Sequence, residues 1–388
     1  MPLPDLDLDL YSDEVILDPY PVYRRIRDLG PVVRLARHDA VAIGRFDDVR
    51  SALLADDRLV SGRGVAMNDL VNADPARVTL TTDGDLHRRL RSVLMRPMTV
   101  AAMRGIEGSV QRLADELVDR LAASDGFDGI ADLAAHLPIA VVAHLVGLPE
   151  DGRERMRDWA AATFDALGAM NDRVLAALPA VLEMVSYAAS VDRRALRADG
   201  WAARLFEAAD RGEVEATDVP GMLVDYIAPS LDTTILGTGH LLLLLGRHPA
   251  EWERVRADET LVPRAVDEAL RVETPVRAFA RHAASDVHIG GTTIPSGTRV
   301  LVLFASANRD ERRYPDPDRF DVGRDARDHL GFGLGVHRCA GAHLAQLEMS
   351  SLLRAMRRRV ARIEVGDPVP MANNLLRGWR SFPAAFHD

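Results

Sequence analysis

Hydrophobic residues recur with a helical period along most of the chain. The pattern over residues 20–29 predicts an amphipathic helix ended by Gly30-Pro31, while residues 41–44 and 47–55 predict a short strand and a second helix. Residues 97–285 are helical in period almost throughout. Turn residues interrupt this stretch at Gly126, Leu148-Pro149 and Asp199-Gly200. We therefore expect a first part of mixed helix and strand, followed by a large helical body.

The last quarter of the chain has a different pattern. Over residues 287–304 the period shortens and turns with glycine and proline appear, which predicts small sheet elements. Residues 309–328 are rich in Asp, Arg and Pro and predict a long loop with a functional or packing role. A final helix is expected over residues 342–359, followed by an extended tail. Because no repeat or linker interrupts the chain, we expect one domain over residues 1–388, mainly α with small β-sheets.

The charge and the cysteine count exclude several classes of protein. The net charge of -10 disfavours nucleic acids and anionic membranes as partners, because an acidic surface is repelled by both. The amino-terminal segment has neither a basic leader nor a long apolar run, so we expect no signal peptide and no membrane anchor. A single cysteine excludes an internal disulfide and a cysteine-cluster metal site, and it fits a reducing compartment. The expected location is the cytoplasm.

The single cysteine, Cys339, lies in a segment that suits a bound macrocycle. Residues 331–341 place it after a glycine-rich stretch and directly before the predicted final helix. Glycines let a backbone approach a flat ring, and free amide groups at a helix start favour the cysteine anion. A thiolate on haem iron pushes electron density onto the metal and favours cleavage of the O–O bond. The residues alone also allow a buried structural cysteine.

This loop resembles the haem-binding signature of the cytochrome P450 superfamily, Phe-x-x-Gly-x-x-x-Cys-x-Gly. The residues in register are Phe332, Gly335, Cys339, Gly341 and, on the next helix, Glu348. The resemblance extends over about residues 18–382 and implies the fold of that family. It also implies haem b as the cofactor, with Cys339 as the ligand of the iron. Phe332, Gly333 and Gly341 would contact the haem.

A second motif of the resemblance is an acid and a base three residues apart. Glu268 and Arg271 share one face of a predicted helix and can form an ion pair. Alone, this spacing is common on protein surfaces. In the family it forms a buried network with an arginine from the irregular loop, so Arg319, within Pro317–Phe320, is the expected third member. The implied role is structural support of the haem loop.

The resemblance also supplies basic partners for the haem propionates. His87 and Arg91 are spaced by one helical turn, Arg281 follows Pro275-Val276 at the family's distance, and His337 lies in the cysteine loop. Taken singly, each of these residues suits a solvated surface position equally well. Together they agree with one fold.

Residues 225–234 resemble the central oxygen-activating helix of the family. Asp232 and Thr233 are the expected catalytic residues, because an acid beside a hydroxyl can relay protons through water to bound dioxygen. Local back-bonding of these two side chains is the structural alternative. Pro229 and Ser230 depart from the family's small residues, and we expect the proline to fix an opening of the helix.

The substrate candidates come from four segments of the chain. They are Arg63, Phe164, Ala228, Val276 and Arg277. Arg277 would need an anionic or strongly polar partner near the haem, which the carboxylate of a substrate can supply; a position facing solvent or a propionate is the alternative. Several short runs look loosely closest to bacterial members that demethylate small methoxylated aromatic acids and phenols.

The function implied is insertion of one oxygen atom from O2 into a small organic substrate. Electrons would come from a ferredoxin and its reductase, since the chain shows no flavin or iron–sulfur module of its own. A tailoring enzyme for a peptide, polyketide or alkaloid has the same cofactor and remains open. The residues also leave open a thiol enzyme that uses Cys339 with His337 or His343, and a haem sensor without turnover.

Overall fold

The computed structural model describes residues 3–73 and 78–388, and over these residues it contains sixteen α-helices and thirteen strands. The helices are α1 (Asp13–Leu17), α2 (Tyr20–Leu29), α3 (Phe46–Leu54), α4 (Asp69–Ala73), α5 (Gly84–Leu94), α6 (Val100–Ala122), α7 (His136–Val146), α8 (Glu150–Ala166), α9 (Asp172–Ser190), α10 (Trp201–Asp210), α11 (Val219–Ile227), α12 (Asp232–Arg247), α13 (Pro249–Ala257), α14 (Leu261–Val272), α15 (Phe304–Ala307) and α16 (Ala342–Arg359). The strands are β1 (Asp5–Leu6), β2 (Val33–Leu35), β3 (Ala40–Ile43), β4 (Leu59–Val60), β5 (Phe127–Asp128), β6 (Phe279–Ala283), β7 (Val287–Ile289), β8 (Thr292–Ile294), β9 (Arg299–Val302), β10 (Arg362–Val365), β11 (Val369–Pro370), β12 (Trp379–Ser381) and β13 (Pro383–His387).

Helix α12 forms the centre of the largest core. Its residues from Thr234 to Leu243 are buried in an unbroken run, and a helix that is buried on all sides needs no amphipathic pattern. The long helix α6 packs along α16, α14 packs against both α12 and α16, and α8 pairs with α9. The segment that leads from the cysteine loop into α16 is therefore anchored in the middle of the helical body.

A six-stranded sheet covers one side of this body, in the order β1-β2-β3-β9-β6-β4. Strand β6 lies between β9 and β4 and is antiparallel to both, with Arg281 opposite Val300 and Ala283 opposite Leu59. Apolar side chains from the two faces of the sheet enter two smaller cores. Because β6 is paired on both edges, the position of Arg281 is fixed.

The predicted fold class, mainly α with small β-sheets, is confirmed, and the helices expected over 20–29 and 342–359 have those bounds. The prediction of helical structure up to residue 285 is wrong beyond Val272. Helix α14 stops at Val272, because Pro275 disfavours helical backbone in the residue before it, and β6 follows. Most residues of β6 are buried, so the alternation that marks a half-exposed strand is weak in the sequence.

Three helical segments are long and apolar enough to cross a membrane by length and composition alone. They are Gly129–Val146, Asp172–Ser190 and Ala216–Arg247. The first and third are 56% and 78% buried inside the protein, so core packing explains their apolar composition. The expected absence of a membrane anchor stays a prediction.

Candidate haem and oxygen site

The loop before α16 is shaped by backbone hydrogen bonds and two glycines. The Gly333 amide donates to the Leu330 carbonyl (2.9 Å) and the Cys339 amide to the Phe332 carbonyl (2.8 Å). Gly333 and Gly335 have φ of 65° and 74°, the left-handed region that favours glycine. A Cβ at Gly335 would also lie 2.7 Å from a backbone oxygen of α3. Cys339 is therefore presented at the start of α16 by a backbone path suited to glycine.

Cys339 has open space on one side and protein on the others. Its side chain is exposed, and no heavy atom lies within 4 Å of a Cβ built on Gly341, which leaves room for a flat group. The protein on the other sides still desolvates the thiol and raises its pKa. The amides of Gly341 and Ala342 together with Arg91 and Arg338 offset this only in part. The helix start alone therefore does not produce the anion, contrary to our expectation from the sequence. A bound cation such as haem iron would stabilise the thiolate.

The four basic residues expected to hold the propionates lie together. The rings of His87 on α5 and His337 in the cysteine loop have centroids 4.2 Å apart. Arg91, one turn after His87, donates to a backbone carbonyl of that loop. Asp83, whose Oδ1 lies 3.7 Å from Nε2 of His337, interacts with the charge of Arg281 on β6. One patch between α5, β6 and the loop thus collects all four groups.

The patch fits an anionic ligand. Nε2 of His87 and Nε2 of His337 are buried, and neither has a hydrogen-bond partner in the described part of the chain. Burial lowers the pKa of His87 to about 4 and that of Arg281 to about 10, so anionic partners would favour their charged forms. An unsatisfied buried polar group costs about 1–3 kcal/mol, which a carboxylate would remove. The propionate roles of these residues stay a prediction that this arrangement supports.

A break in the central helix places Asp232 and Thr233 at a helix start. Helix α11 ends at Ile227 and α12 begins at Asp232, with Pro229 and Ser230 in the gap. No described amide donates to the Pro229 carbonyl, and the Thr233 hydroxyl donates to it instead at 2.9 Å. The Ser230 hydroxyl donates to the Ile227 carbonyl at 3.1 Å. The helix is therefore open at the proline, and both hydroxyls bond to the backbone of the opening.

Asp232 is a buried carboxyl with one basic neighbour. Oδ1 of Asp232 lies 4.0 Å from Nε of Arg157 on α8. Burial raises the pKa of Asp232 to about 6, and Arg157 opposes that rise. A carboxyl with such a pKa exchanges protons readily near neutral pH. The geometry thus allows Asp232 to hold or release a proton beside Thr233.

Glu268 and Arg271 form a completely buried ion pair. Nε and Nη2 of Arg271 donate to the two Glu268 oxygens at 2.7 and 2.9 Å, and Nη1 donates to the carbonyls of Asn308 and Pro317. Asn308 Oδ1 in turn accepts the Leu330 amide at 2.7 Å. The pair is therefore linked through Asn308 to the start of the cysteine loop.

The third member of this network is Arg324, and the prediction of Arg319 is wrong. Nε of Arg324 donates to Glu268 Oε1 at 3.1 Å. Arg319 is exposed and contributes only its carbonyl, 3.2 Å from Nη2 of Arg271. The loop passes Glu268 at Asp321, whose amide also donates to Oε1, and then carries residue 324 back to the pair. The neighbourhood of Arg319 in the sequence does not determine which arginine of the loop turns inward.

Three substrate candidates are apolar and lie inside the protein. Phe164, at the end of α8, is buried, and Val276 packs half-buried against the same cluster under the sheet. Ala228 is buried at the opening of the central helix and belongs to the largest core. Phe164 and Val276 are thus brought into one apolar region, while Ala228 lies beside Pro229.

The two arginine candidates occupy different environments. Arg63 is exposed in the turn after β4. Arg277 is 3% exposed, and its Nη2 donates to the carbonyls of Asn373 and Asn374. The residues around its guanidinium include none of the candidate haem or oxygen residues. The structure therefore directs Arg277 away from the proposed oxygen site.

Asp83 is a residue of the site for which the sequence analysis predicted no role. Its carboxylate accepts the amides of Ser61 and Gly62 at 2.9 and 2.6 Å and faces His337. It thereby joins the turn after β4 to the propionate patch. Because its partners are more than 20 residues away in sequence, no local pattern marks it.

Comparison with known proteins gives consistent matches. The model of the family Cytochrome P450 matches residues 183–359. The chain is 36% identical over 387 residues to cytochrome p450 CYP199A2 of Rhodopseudomonas palustris, covering 98% of this chain and 94% of that protein. It is 32% identical over 400 residues to 6-deoxyerythronolide B hydroxylase of Saccharopolyspora erythraea, covering 97% and 98%. The crystal structure of myxobacterial cytochrome P450 CYP267B1 with myristic acid has a TM-score of 0.84 and 31% identity, covering 98% of this chain and 99% of that one.

Proposed function

The chain belongs to the cytochrome P450 family, whose members are haem b monooxygenases, and we propose that it hydroxylates or O-demethylates a small aromatic acid with electrons from a ferredoxin. The observation that supports this proposal most strongly is the buried acid Asp232 beside the half-buried alcohol Thr233, at the opening of the central helix. O-Demethylation would begin with hydroxylation of a methyl ether, and the hydroxylated ether would then release formaldehyde.

The roles of the residues around the cofactor follow from their contacts. Bound haem with a thiolate ligand supplies an oxidant for the insertion of oxygen into a C–H bond. Cys339 would hold the iron, Gly341 would leave space beside the ring, and the four basic groups of the patch would bind the propionates. Phe332 lies next to the buried ring of His329, with centroids 5.4 Å apart, which fixes its orientation beside the cysteine loop.

Proton delivery is assigned to Asp232 and Thr233. The Thr233 hydroxyl uses its proton for the Pro229 carbonyl, so its oxygen remains available to accept a hydrogen bond from water. Asp232, with a pKa of about 6, would pass protons from solvent to such a water molecule. The two roles are complementary, because Asp232 titrates near neutral pH whereas Thr233 only orients the water molecule.

The apolar part of the substrate would contact Phe164, Val276 and Ala228. Arg277 is bonded elsewhere, so Arg63 is the remaining candidate for the carboxylate of the substrate. A guanidinium can bind a carboxylate through two parallel hydrogen bonds. The electrons would come from a separate ferredoxin, and the exposed Arg338 in the cysteine loop suits an acidic partner. A cytoplasmic location is part of the same proposal.

Binding and turnover of matched methoxyarenes test this function. We expect 4-methoxybenzoate to shift the Soret band and to yield formaldehyde when a ferredoxin, its reductase and NADH are supplied. Methoxybenzene, which lacks the carboxylate, should bind at least tenfold more weakly. Arg63→Gln should remove that difference, whereas Arg50→Gln, at an exposed position away from the site, should not. Tight binding of both compounds by every variant would contradict the role of Arg63.

A natural-product tailoring oxidase is the second candidate. The similarity to 6-deoxyerythronolide B hydroxylase over nearly the whole chain favours it. Binding of a macrolide aglycone, with no response to the methoxybenzoate, would select this alternative. The thiol-enzyme alternative is not favoured, because no hydrogen bond joins Cys339 to His337 or His343 in the described part of the chain. A haem sensor without turnover is likewise not favoured by membership of this family of monooxygenases.

A further inference from the structure

A small cavity lies between the amino-terminal segment, helix α2, the main sheet and the loop before β12. The residues that line it are Leu10, Tyr11, Tyr23, Arg277, Ala278, Leu301, Leu303, Asn374 and Leu375. The cavity leaves about 10 Å³ for the centre of a water-sized sphere, which is room for one small species. It is separate from the haem and oxygen residues described above.

Arg277 brings a positive charge to this cavity without a carboxylate in direct contact over the described residues. Its side chain is 3% exposed, Nη2 donates to the Asn373 and Asn374 carbonyls, and Nε has no partner among the described residues. No described carboxylate lies within 4.0 Å of the guanidinium, since Arg277 makes no ion pair over residues 3–73 and 78–388. The acid that interacts with it at longer range, Asp165, is bonded to the Asn374 amide at 2.8 Å. A buried charge left this way is costly.

Two tyrosine side chains that line the cavity, Tyr11 and Tyr23, also have hydroxyl groups that can donate hydrogen bonds. Tyr11 and Tyr23 are 6% and 3% exposed, and neither hydroxyl forms a hydrogen bond within the described residues. Tyr11 is close enough to Arg277 and Tyr23 to interact with both electrostatically. The carbonyls of Asn373 and Asn374 already accept hydrogen bonds from Arg277. The donors that face the cavity therefore outnumber the free acceptors.

We propose that this cavity binds a small monovalent anion, chloride under ordinary conditions, between Arg277, Tyr11 and Tyr23. An anion accepts hydrogen bonds from all three side chains and neutralises the guanidinium, whereas a water molecule would have to donate two hydrogen bonds of its own. Larger carboxylates are excluded by the size of the space. The bound anion would join the segment at Tyr11 and helix α2 to the loop at residues 373–375.

Thermal unfolding of the holoenzyme at constant ionic strength tests the site. When chloride replaces gluconate, which is too large for the cavity, we expect Tm to rise by roughly 1–2 °C per tenfold increase in chloride above its Kd. Arg277→Gln should abolish the response, and Tyr23→Phe should weaken it. Arg380→Gln, at an exposed position, should respond like the parent protein. A Tm that is the same in both salts would overturn the proposal.

Bromide gives a test that needs no variant. Crystals of the parent holoenzyme soaked in bromide should show an anomalous scattering peak in the cavity, beside the guanidinium of Arg277. If Arg277→Gln does not fold, the double variant Tyr11→Phe/Tyr23→Phe keeps the guanidinium and should still lose most of the chloride response. Anomalous peaks only at the protein surface, with ordinary water density at Arg277, would refute anion binding.

Discussion

Arg324 donates from Nε to Oε1 of Glu268 at 3.1 Å, so the completely buried Glu268 carboxylate is shared by Arg324 and Arg271. The same carboxylate accepts the Asp321 amide. The irregular loop is thus tied at two points to the helix that supports the cysteine loop.

Replacing Arg324 should weaken haem retention, whereas replacing Arg319 should not. Arg324→Ala leaves a buried carboxylate with one cationic partner fewer, and breaking a buried pair costs about 3–5 kcal/mol. Arg319 supplies a backbone carbonyl, which Arg319→Ala preserves. The haem content per protein and the Tm of both variants measure the effect. Equal losses in the two variants would show that the third member of the network was assigned incorrectly.

The histidine pair should contribute to haem affinity. Each unpartnered Nε2, on His87 and His337, would form a charge-assisted hydrogen bond worth about 1.5–3 kcal/mol with a propionate. We expect His87→Leu and His337→Leu each to speed the transfer of haem to apomyoglobin by roughly 10- to 100-fold. His288→Leu, at an exposed position in β7, should leave the rate unchanged. If His87→Leu and His337→Leu both release haem at the rate of the parent protein, this patch is not the propionate site.

Turnover should fall in acid because of Asp232. Burial raises its pKa from 3.8 to about 6, so the carboxyl becomes protonated as the pH falls through 6 and can no longer accept a proton. We expect kcat to decrease about tenfold per pH unit below this value. In Asp232→Asn the acid limb should disappear and kcat at pH 7.5 should drop by roughly 10²-fold. The exposed variant Asp125→Asn should keep the parent profile, because Asp125 does not contribute to the pKa of Asp232. An unchanged acid limb in Asp232→Asn would rule out Asp232 as its source.

Glu348 should make the protein less stable as the pH rises. Both oxygens of this buried carboxyl lack a partner in the described structure, and burial raises its pKa from 4.5 to about 8. Between these values the unfolded chain has lost the proton that the folded protein retains, so the free energy of unfolding falls by about 1.4 kcal/mol per pH unit. Glu348→Gln should therefore be more stable than the parent at pH 8, and the gap should close below pH 4.5. A gap that is independent of pH, measured by urea unfolding, would contradict this account.

Local patterns in the sequence determine some parts of this structure fully. Helix α2 has a strong amphipathic pattern and a Gly-Pro stop, and α16 is bounded by the glycine-rich loop and an extended tail, so both have the predicted bounds. The end of α14 and the strand β6 were missed, because β6 is defined by pairing with β4 and β9. Contacts between distant segments are not encoded in local periodicity.

The same distinction applies to the site. The resemblance to the family's motifs was sufficient to identify Cys339, Asp232 and the Glu268–Arg271 pair as candidates. It was not sufficient for Arg324, because the path of an irregular loop depends on the backbone groups that it satisfies, among them the Asp321 amide. The direction of Arg277 likewise depends on the carbonyls of residues 373 and 374, about 96 positions away.

The absorbance spectrum of the purified protein, reduced with dithionite under carbon monoxide, tests ligation of haem iron by Cys339 most directly. We expect the red-shifted Soret band of a thiolate-ligated ferrous carbonyl haem, and we expect Cys339→Ser to lose it. Protein that stays colourless after haem-supplemented expression, or a parent band at the position of an imidazole-ligated haem, would contradict the account.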